Sequence, residues 1–307
     1  MVTAYINHVA CTKHDMGRAH PESPARLAAI EDHLICSGIA GLLERHDAPA
    51  AKVSEVARVH PLEYIEAIRA ASPRAGIVHL DPDTAMCPHT WDAVLHASGA
   101  AVLATDLVVE RRASSAFCAV RPPGHHATRT RPMGFCFFNN VAVAAKHALE
   151  HHGLERVAII DFDVHHGNGT EDIFSDDERV VMASIFQHPF YPYSGTENVA
   201  PNMANVPLPA GSDGKALRTA VEKIWMPALD DFAPQMVFVS AGFDAHVEDD
   251  MAMLRFTEAD YAWVTQRIKE VADKYADGRI VSVLEGGYAL SALGRSVVTH
   301  LKVLGGF

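Results

Sequence analysis

Short apolar runs recur along this chain, and each is followed by residues patterned for a helix. The runs are 116–120, 157–160, 180–185, 236–240 and 280–284; the helical stretches are 24–37, 62–71, 89–109, 141–151, 215–229, 258–275 and 290–304. Runs this short and this apolar suit strands buried on both faces. Their alternation with helices predicts an α/β chain: one mostly parallel sheet with helices on both faces. Ser23-Pro24 reads as a cap and first-turn proline for the first helix. Segments 121–140 and 187–213 fit neither pattern and are rich in Pro, Gly and aromatics. Such segments read as functional loops, which in open α/β sheets gather beyond the carboxyl ends of the strands.

No Pro/Gly/Ser-rich linker, low-complexity tract or internal repeat divides the 307 residues. Residues 1–307 are therefore expected to form a single domain, with 49% hydrophobic residues to build its core. The formal charge is -12 and no Lys/Arg cluster stands out, so nucleic acid is not an expected partner. The acidic balance leans instead towards cationic partners. Five cysteines are scattered without CxxC spacing, which fits a reducing compartment rather than a disulfide framework. No leader pattern and no apolar run of about 18 residues is seen, so a cytoplasmic protein without a membrane partner is expected.

The chemistry concentrates where the apolar runs end. The run 157–160 passes into Asp161-Phe162-Asp163-Val164-His165-His166-Gly167-Asn168. Side chains of an extended chain alternate, so Asp161, Asp163 and His165 share one face. Three buried polar ligands together point to a metal rather than to a simple strand cap. Run 236–240 leads to Asp244, run 116–120 to Arg121-Pro122-Pro123-Gly124-His125-His126, and run 280–284 to Glu285-Gly286-Gly287-Tyr288. In a parallel sheet all four polar tips meet at one edge.

Asp163, His165 and Asp244 then make a site of two carboxylates and one imidazole, with room for water and substrate. His125-His126 supplies candidates for a base. Asp161 would accept from one imidazole and Asn168 from the other. A lone Tyr reads first as a core or interface aromatic, but two preceding glycines and the strand end favour Tyr288 as a donor to an oxyanion. His151-His152, at a helix end, read as cations suited to the helix dipole.

These segments resemble the histone deacetylase superfamily, in particular its class II and bacterial deacetylase-like amidohydrolases. The resemblance runs from His20-Pro21-Glu22-Ser23-Pro24 to Leu284-Glu285-Gly286-Gly287-Tyr288 and includes Gly134-Phe135-Cys136. Asn168 stands where class I members carry Asp. The resemblance implies the arginase/deacetylase fold, a single sheet of about eight parallel strands. It implies Zn²⁺ on Asp163, His165 and Asp244, with Fe²⁺ as the other ion such a site accepts. It makes Tyr288 the group that polarises the carbonyl, His126 the general base and acid, and His125, held by Asp161, an electrostatic aid. Phe135 and Phe190 would grip the acyl-lysine stem, beside Gly134 and Gly286. Asp83 matches a rim acid that binds substrate backbone, with a solvated turn Asp as the competing reading.

Structural K⁺ is implied as well. An inner site would use main-chain oxygens of Asp161, Asp163, His165 and Ile185 with the Ser184 hydroxyl, and an outer one would lie at Phe174, Asp177 and Val180.

The implied reaction is hydrolysis of an acylated lysine in a peptide or protein, with an acetylated polyamine as the alternative substrate. Oligomeric state stays open. A binuclear arginase-like hydrolase would need carboxylates where this chain has Gly167 and His246. A non-catalytic acyl-lysine binding module would have lost a ligand, a histidine or Tyr288, and none is lost.

Overall fold

The computed structural model describes residues 2–307. Its strands are β1 (Thr3–Asn7), β2 (Leu43–Asp47), β3 (Val78–Asp81), β4 (Thr84–Met86), β5 (Ser115–Cys118), β6 (Val157–Asp161), β7 (Val180–Gln187), β8 (Met203–Leu208), β9 (Met236–Ala241) and β10 (Ile280–Leu284). Among the described residues, eight of them build one sheet in the order β2-β1-β5-β10-β9-β6-β7-β8, and every neighbouring pair is parallel. The remaining two, β3 and β4, form a separate antiparallel hairpin.

Strands β5, β6, β9 and β10 are buried at every residue, as expected for central strands covered on both sides. The apolar runs locate these four and β7. Three further strands of the sheet escape that pattern. The β1 strand holds only the brief apolar stretch Ala4-Tyr5-Ile6. The β2 sequence, Leu-Glu-Arg-His-Asp, is mostly polar because it lies at the sheet edge. The β8 strand sits inside segment 187–213, and its Pro207 is tolerated because β8 is the opposite edge.

The expected helices are present at Ala25–Cys36, Leu62–Ala71, Thr90–Val109, Asn140–Glu150, Glu258–Tyr275 and Leu290–Gly305. Three details differ from expectation. The first helix is capped by Pro24 with no side-chain bond, so Ser23 contributes only its carbonyl, to Arg26. The stretch 215–229 is not one α-helix: Gly214–Ala220 widens into a π-turn at Val221–Trp225 before Met226–Phe232. Pro227 has no N–H to bond the carbonyl four residues back, and the ladder shifts register just ahead of it. The residues after His166 form a short helix, Asn168–Phe174, which is not among the expected helical stretches.

Helix Thr90–Val109 is long and apolar enough to cross a membrane by length and composition, which qualifies the expectation of no such run. Most of it is buried inside the fold, against β5 and helix Asn140–Glu150.

Candidate active site

Because the sheet is parallel, β5, β10, β9 and β6 end at one edge as four consecutive neighbours. Asp163 and His165 follow β6, and Asp244 follows β9. All three are buried, and one ligand atom from each lies within 4.8 Å of the others. His165 Nδ1 is 3.1 Å from Asp163 Oδ1 and 3.2 Å from Asp244 Oδ2. The second contact lacks hydrogen-bond geometry, so Asp244 Oδ2 is a buried carboxylate oxygen without a hydrogen-bond partner. Glycines let the backbone close over the group. A Cβ at Gly286 would fall 2.0 Å from Asp244 Oδ2, and one at Gly242 2.0 Å from Asp163 Oδ2.

The electrostatics of this trio favour positive charge. Burial together with the Asp163 charge pushes Asp244 up to about 6. Burial opposes charging His165, yet its bond to Asp163 and the close Asp244 carboxylate override that and push its pKa up to about 9. The two carboxylates together thus favour positive charge on the imidazole between them. Two carboxylates, one imidazole and an unpartnered carboxylate oxygen are a donor set that fits a divalent ion.

The tandem histidines are fixed from three sides. The Glu285 carboxylate, at the end of β10, accepts the N–H groups of Gly124 (2.7 Å) and His125 (3.1 Å). His125 Nδ1 is 2.9 Å from Asp161 Oδ2, and His126 Nδ1 is 2.7 Å from Asn168 Oδ1. An amide oxygen only accepts, so His126 carries its proton on Nδ1 and keeps the Nε2 lone pair free. Burial, then the neighbouring His125 and His165, hold the His126 pKa well below the ordinary imidazole value. Burial acts the same way on His125, but Asp163 and Asp161 outweigh it and raise its pKa well above ordinary.

Tyr288 is set by the turn after β10, where Gly287 has φ +120. Its backbone N–H donates to Asp249 Oδ2 at 2.6 Å. Arg26 lies 5.0 Å from the ring centroid, and its guanidinium bonds the carbonyls of Gly287 (2.7 Å) and Glu285. Buried Glu22 holds Arg26 at 3.1 Å and also takes Arg121. Burial keeps the phenol protonated, pushing its pKa well above 10.0.

A cavity of about 270 Å³ opens onto His126, His165 and Tyr288 together. Phe135 meets Tyr288 edge-on at 5.9 Å, and Phe190 stacks on His165 at 5.7 Å. Gly134 packs under His126, where a Cβ would come within 2.3 Å of the ring. Asp83, half-buried in the β3–β4 turn, accepts the Gly134 N–H at 3.2 Å and lines the cavity.

Sequence reasoning missed several residues here. Tyr191 also lines the wall, edge-on to His126 at 5.3 Å, with its hydroxyl buried and without a hydrogen-bond partner. Its position next to Phe190 is the only signal. Met251, Asp249 and Arg26 come from segments with no motif to mark them, although Arg26 stands one turn after Glu22.

The residues expected to bind potassium divide. Ser184 pairs with Asp161 across β6 and β7, and its hydroxyl is buried with no partner, which leaves it free for a cation. The carbonyls of Phe174, Asp177 and Val180 do converge, but on the Asn202 side-chain amide, at 2.8, 3.2 and 3.0 Å. A binuclear centre is disfavoured by geometry: a Cβ at Gly167 would lie 2.3 Å from Asp161 Oδ2, so no carboxylate fits there. His246 points to Glu258, 3.4 Å away, rather than into the trio.

Comparison with known proteins agrees with this geometry. Residues 20–304 match the histone deacetylase domain family. A probable deacetylase of Archaeoglobus fulgidus is 36% identical, over 99% of this chain and 86% of its own length. A histone deacetylase-like amidohydrolase of Pseudomonas aeruginosa is 38% identical, over 88% of this chain and 73% of its own. The crystal structure of the HDA15 HD domain superposes with a TM-score of 0.93 at 32% identity, covering 99% of this chain and 88% of that one. With the domain match running from the His20 motif past Tyr288 and through every group around the cavity, the chain belongs to the histone deacetylase family of amidohydrolases.

Proposed function

We propose that this protein is a zinc-dependent lysine deacylase, with acetyl as its ordinary acyl group. The observation that carries the reading is the single cavity faced at once by His165 of the buried trio, by neutral His126 and by protonated Tyr288. Asp163, His165 and Asp244 would hold Zn²⁺, or Fe²⁺, which the same donors accept. Bound there, the ion supplies Lewis-acid polarisation of the acyl carbonyl and acidifies the attacking water.

The chain's own groups do the rest. His126 takes the water proton at Nε2, while Asn168 fixes its tautomer without adding a charge. Tyr288 donates its hydroxyl to the oxyanion that develops on the substrate carbonyl. His125, paired with Asp161, adds positive charge beside it. His126 then returns its proton to the leaving amine. Phe135 and Phe190 would flank the lysine stem, and Asp83 at the rim would accept substrate N–H groups. Inner-site K⁺ at Ser184 would stiffen the β6–β7 ends. Outer-site K⁺ would lie at the carbonyls of Phe174, Asp177 and Val180, where it would compete with the Asn202 amide that they already meet.

The net charge of -12 also favours small cationic substrates, which sets the test. Zinc-loaded enzyme is assayed on a panel of acyl-lysine peptides beside N-acetylated polyamines, with Tyr288→Phe as control. Peptide turnover that the control loses supports a lysine deacylase. Turnover of polyamines alone moves the function to small amines, and no turnover of either overturns the substrate assignment.

A further inference from the structure

Three imidazoles and a carboxylate converge far from the cavity, where helix Thr90–Val109 meets the end of helix Asn140–Glu150. Asp106 lies on the first helix and His147 on the last turn of the second; His151 caps that helix and His152 follows. One ligand atom from each of the four lies within 4.8 Å of the others. Asp106 Oδ1 is 2.7 Å from His147 Nε2 and 2.8 Å from His152 Nε2. His147 and His151 are four apart on one helix face, with ring centroids 4.7 Å apart and planes 18° from parallel. The His152 ring stands edge-on to both. This helix leads into the start of β6, so the cluster sits at the amino edge of the sheet, opposite the cavity.

A cation at a helix end would satisfy the dipole with one histidine pointing anywhere. It does not account for two imidazoles aimed at a single carboxylate oxygen with a third stacked beside them. We propose that Asp106, His147, His151 and His152 form a second divalent-metal site that cross-links the two helices. Imidazole-rich donors select Zn²⁺, Ni²⁺ or Cu²⁺ over Mg²⁺ or Ca²⁺. Bonds of about 2.0–2.1 Å to such an ion put donors roughly 3.3 Å apart in a tetrahedron. The two short contacts open by about half an ångström, and exposed His151 is free to close in.

The fourth ligand has a competitor. Arg58 Nη1 lies 2.7 Å from His147 Nδ1, so this nitrogen accepts and Nε2 bears the proton. For His147 to bind the ion through Nε2, Arg58 must turn towards Glu150, already 3.8 Å from its Nε. Arg58 therefore weakens the site.

The test strips the protein with a chelator, reloads it with Ni²⁺ or Zn²⁺, and counts ions per chain by equilibrium dialysis and elemental analysis. Two ions are expected in the wild-type protein and one in His151→Ala/His152→Ala, whose fold is checked by its metal-free melting temperature because His152, unlike exposed His151, is half-buried. Asp244→Ala should keep one ion, and Ni²⁺ should raise its melting temperature. That rise should disappear when the His151 and His152 changes are added. Arg58→Ala should tighten the second ion roughly tenfold, the scale of one hydrogen bond to a charged group. One ion in the wild-type protein, two in the double variant, or a Ni²⁺-induced rise that survives loss of both histidines would overturn the proposal.

Discussion

His300 offers a measurement in which one buried ring sets a slope. It is fully buried between helix Glu258–Tyr275 and β10. The Thr265 hydroxyl donates to the Tyr261 carbonyl at 2.6 Å, so it must accept from His300 Nδ1 at 2.7 Å. Ser282 Oγ, 2.9 Å away, then donates to Nε2. The neutral ring is satisfied on both sides, and burial lowers its pKa from 6.5 to about 3. The unfolded chain therefore binds a proton that the native protein refuses. This stability is whole above pH 6.5 and is lost as pH falls towards 3, about 5 kcal/mol in the limit. Between pH 7.5 and 5.0 the loss from this group alone is about 2 kcal/mol. His300→Gln removes the titration. Urea unfolding of both proteins at the two pH values should show their stability difference shrinking by about 2 kcal/mol at the lower pH. A difference that stays constant would refute the reasoning, since His14 and His60, both lowered to about 4 by burial, titrate equally in both proteins.

Tyr288→Phe should cut turnover roughly 10²–10³-fold while metal content stays unchanged, because only an oxyanion donor is lost; wild-type turnover would remove Tyr288 from the chemistry. Gly286→Ala drives a methyl to within 2.0 Å of Asp244 Oδ2. It should lower activity about 10²-fold or more with reduced metal content, since an ångström of displacement carries that cost; full metal occupancy with full activity would contradict the packing. Asn168→Asp places a full charge on His126 Nδ1, raises that imidazole's pKa and moves the acid limb of kcat/KM to higher pH. An unmoved limb would mean that His126 is not the base.

Legibility followed the range of the interactions. Strands β6, β9 and β10 could be read because each is almost wholly apolar, and their polar tips because chemistry-bearing residues abut them. Period-two alternation placed Asp163 and His165 together, and parallel topology then brought Asp244 beside them. Edge strand β2 could not be read, since solvent lets its sequence stay polar. Asp249, Arg26 and Tyr191 act only through contacts that the folded chain creates, and none sits in a pattern that announces it. The fate of the Phe174, Asp177 and Val180 carbonyls was hidden for the same reason: it depends on Asn202, more than twenty residues downstream. His151 and His152 looked ordinary because their partner, Asp106, belongs to another helix.

The sheet order has a consequence for assembly. Strand β10 is last in the chain yet lies between β5 and β9. Until it enters, β2-β1-β5 and β9-β6-β7-β8 are two half-sheets without a shared backbone bond, each with a bare, buried-type edge of the kind that invites mispairing. One half holds both carboxylates of the trio, the other leads into the histidine pair, and the keystone strand itself delivers the tyrosine. A nascent chain can thus own its metal ligands well before it owns a catalyst. Pulse-labelling hydrogen exchange during refolding should show the β10 amides protected no earlier than those of β1 and β7. Protection of β10 ahead of both would mean that the arch closes by another route.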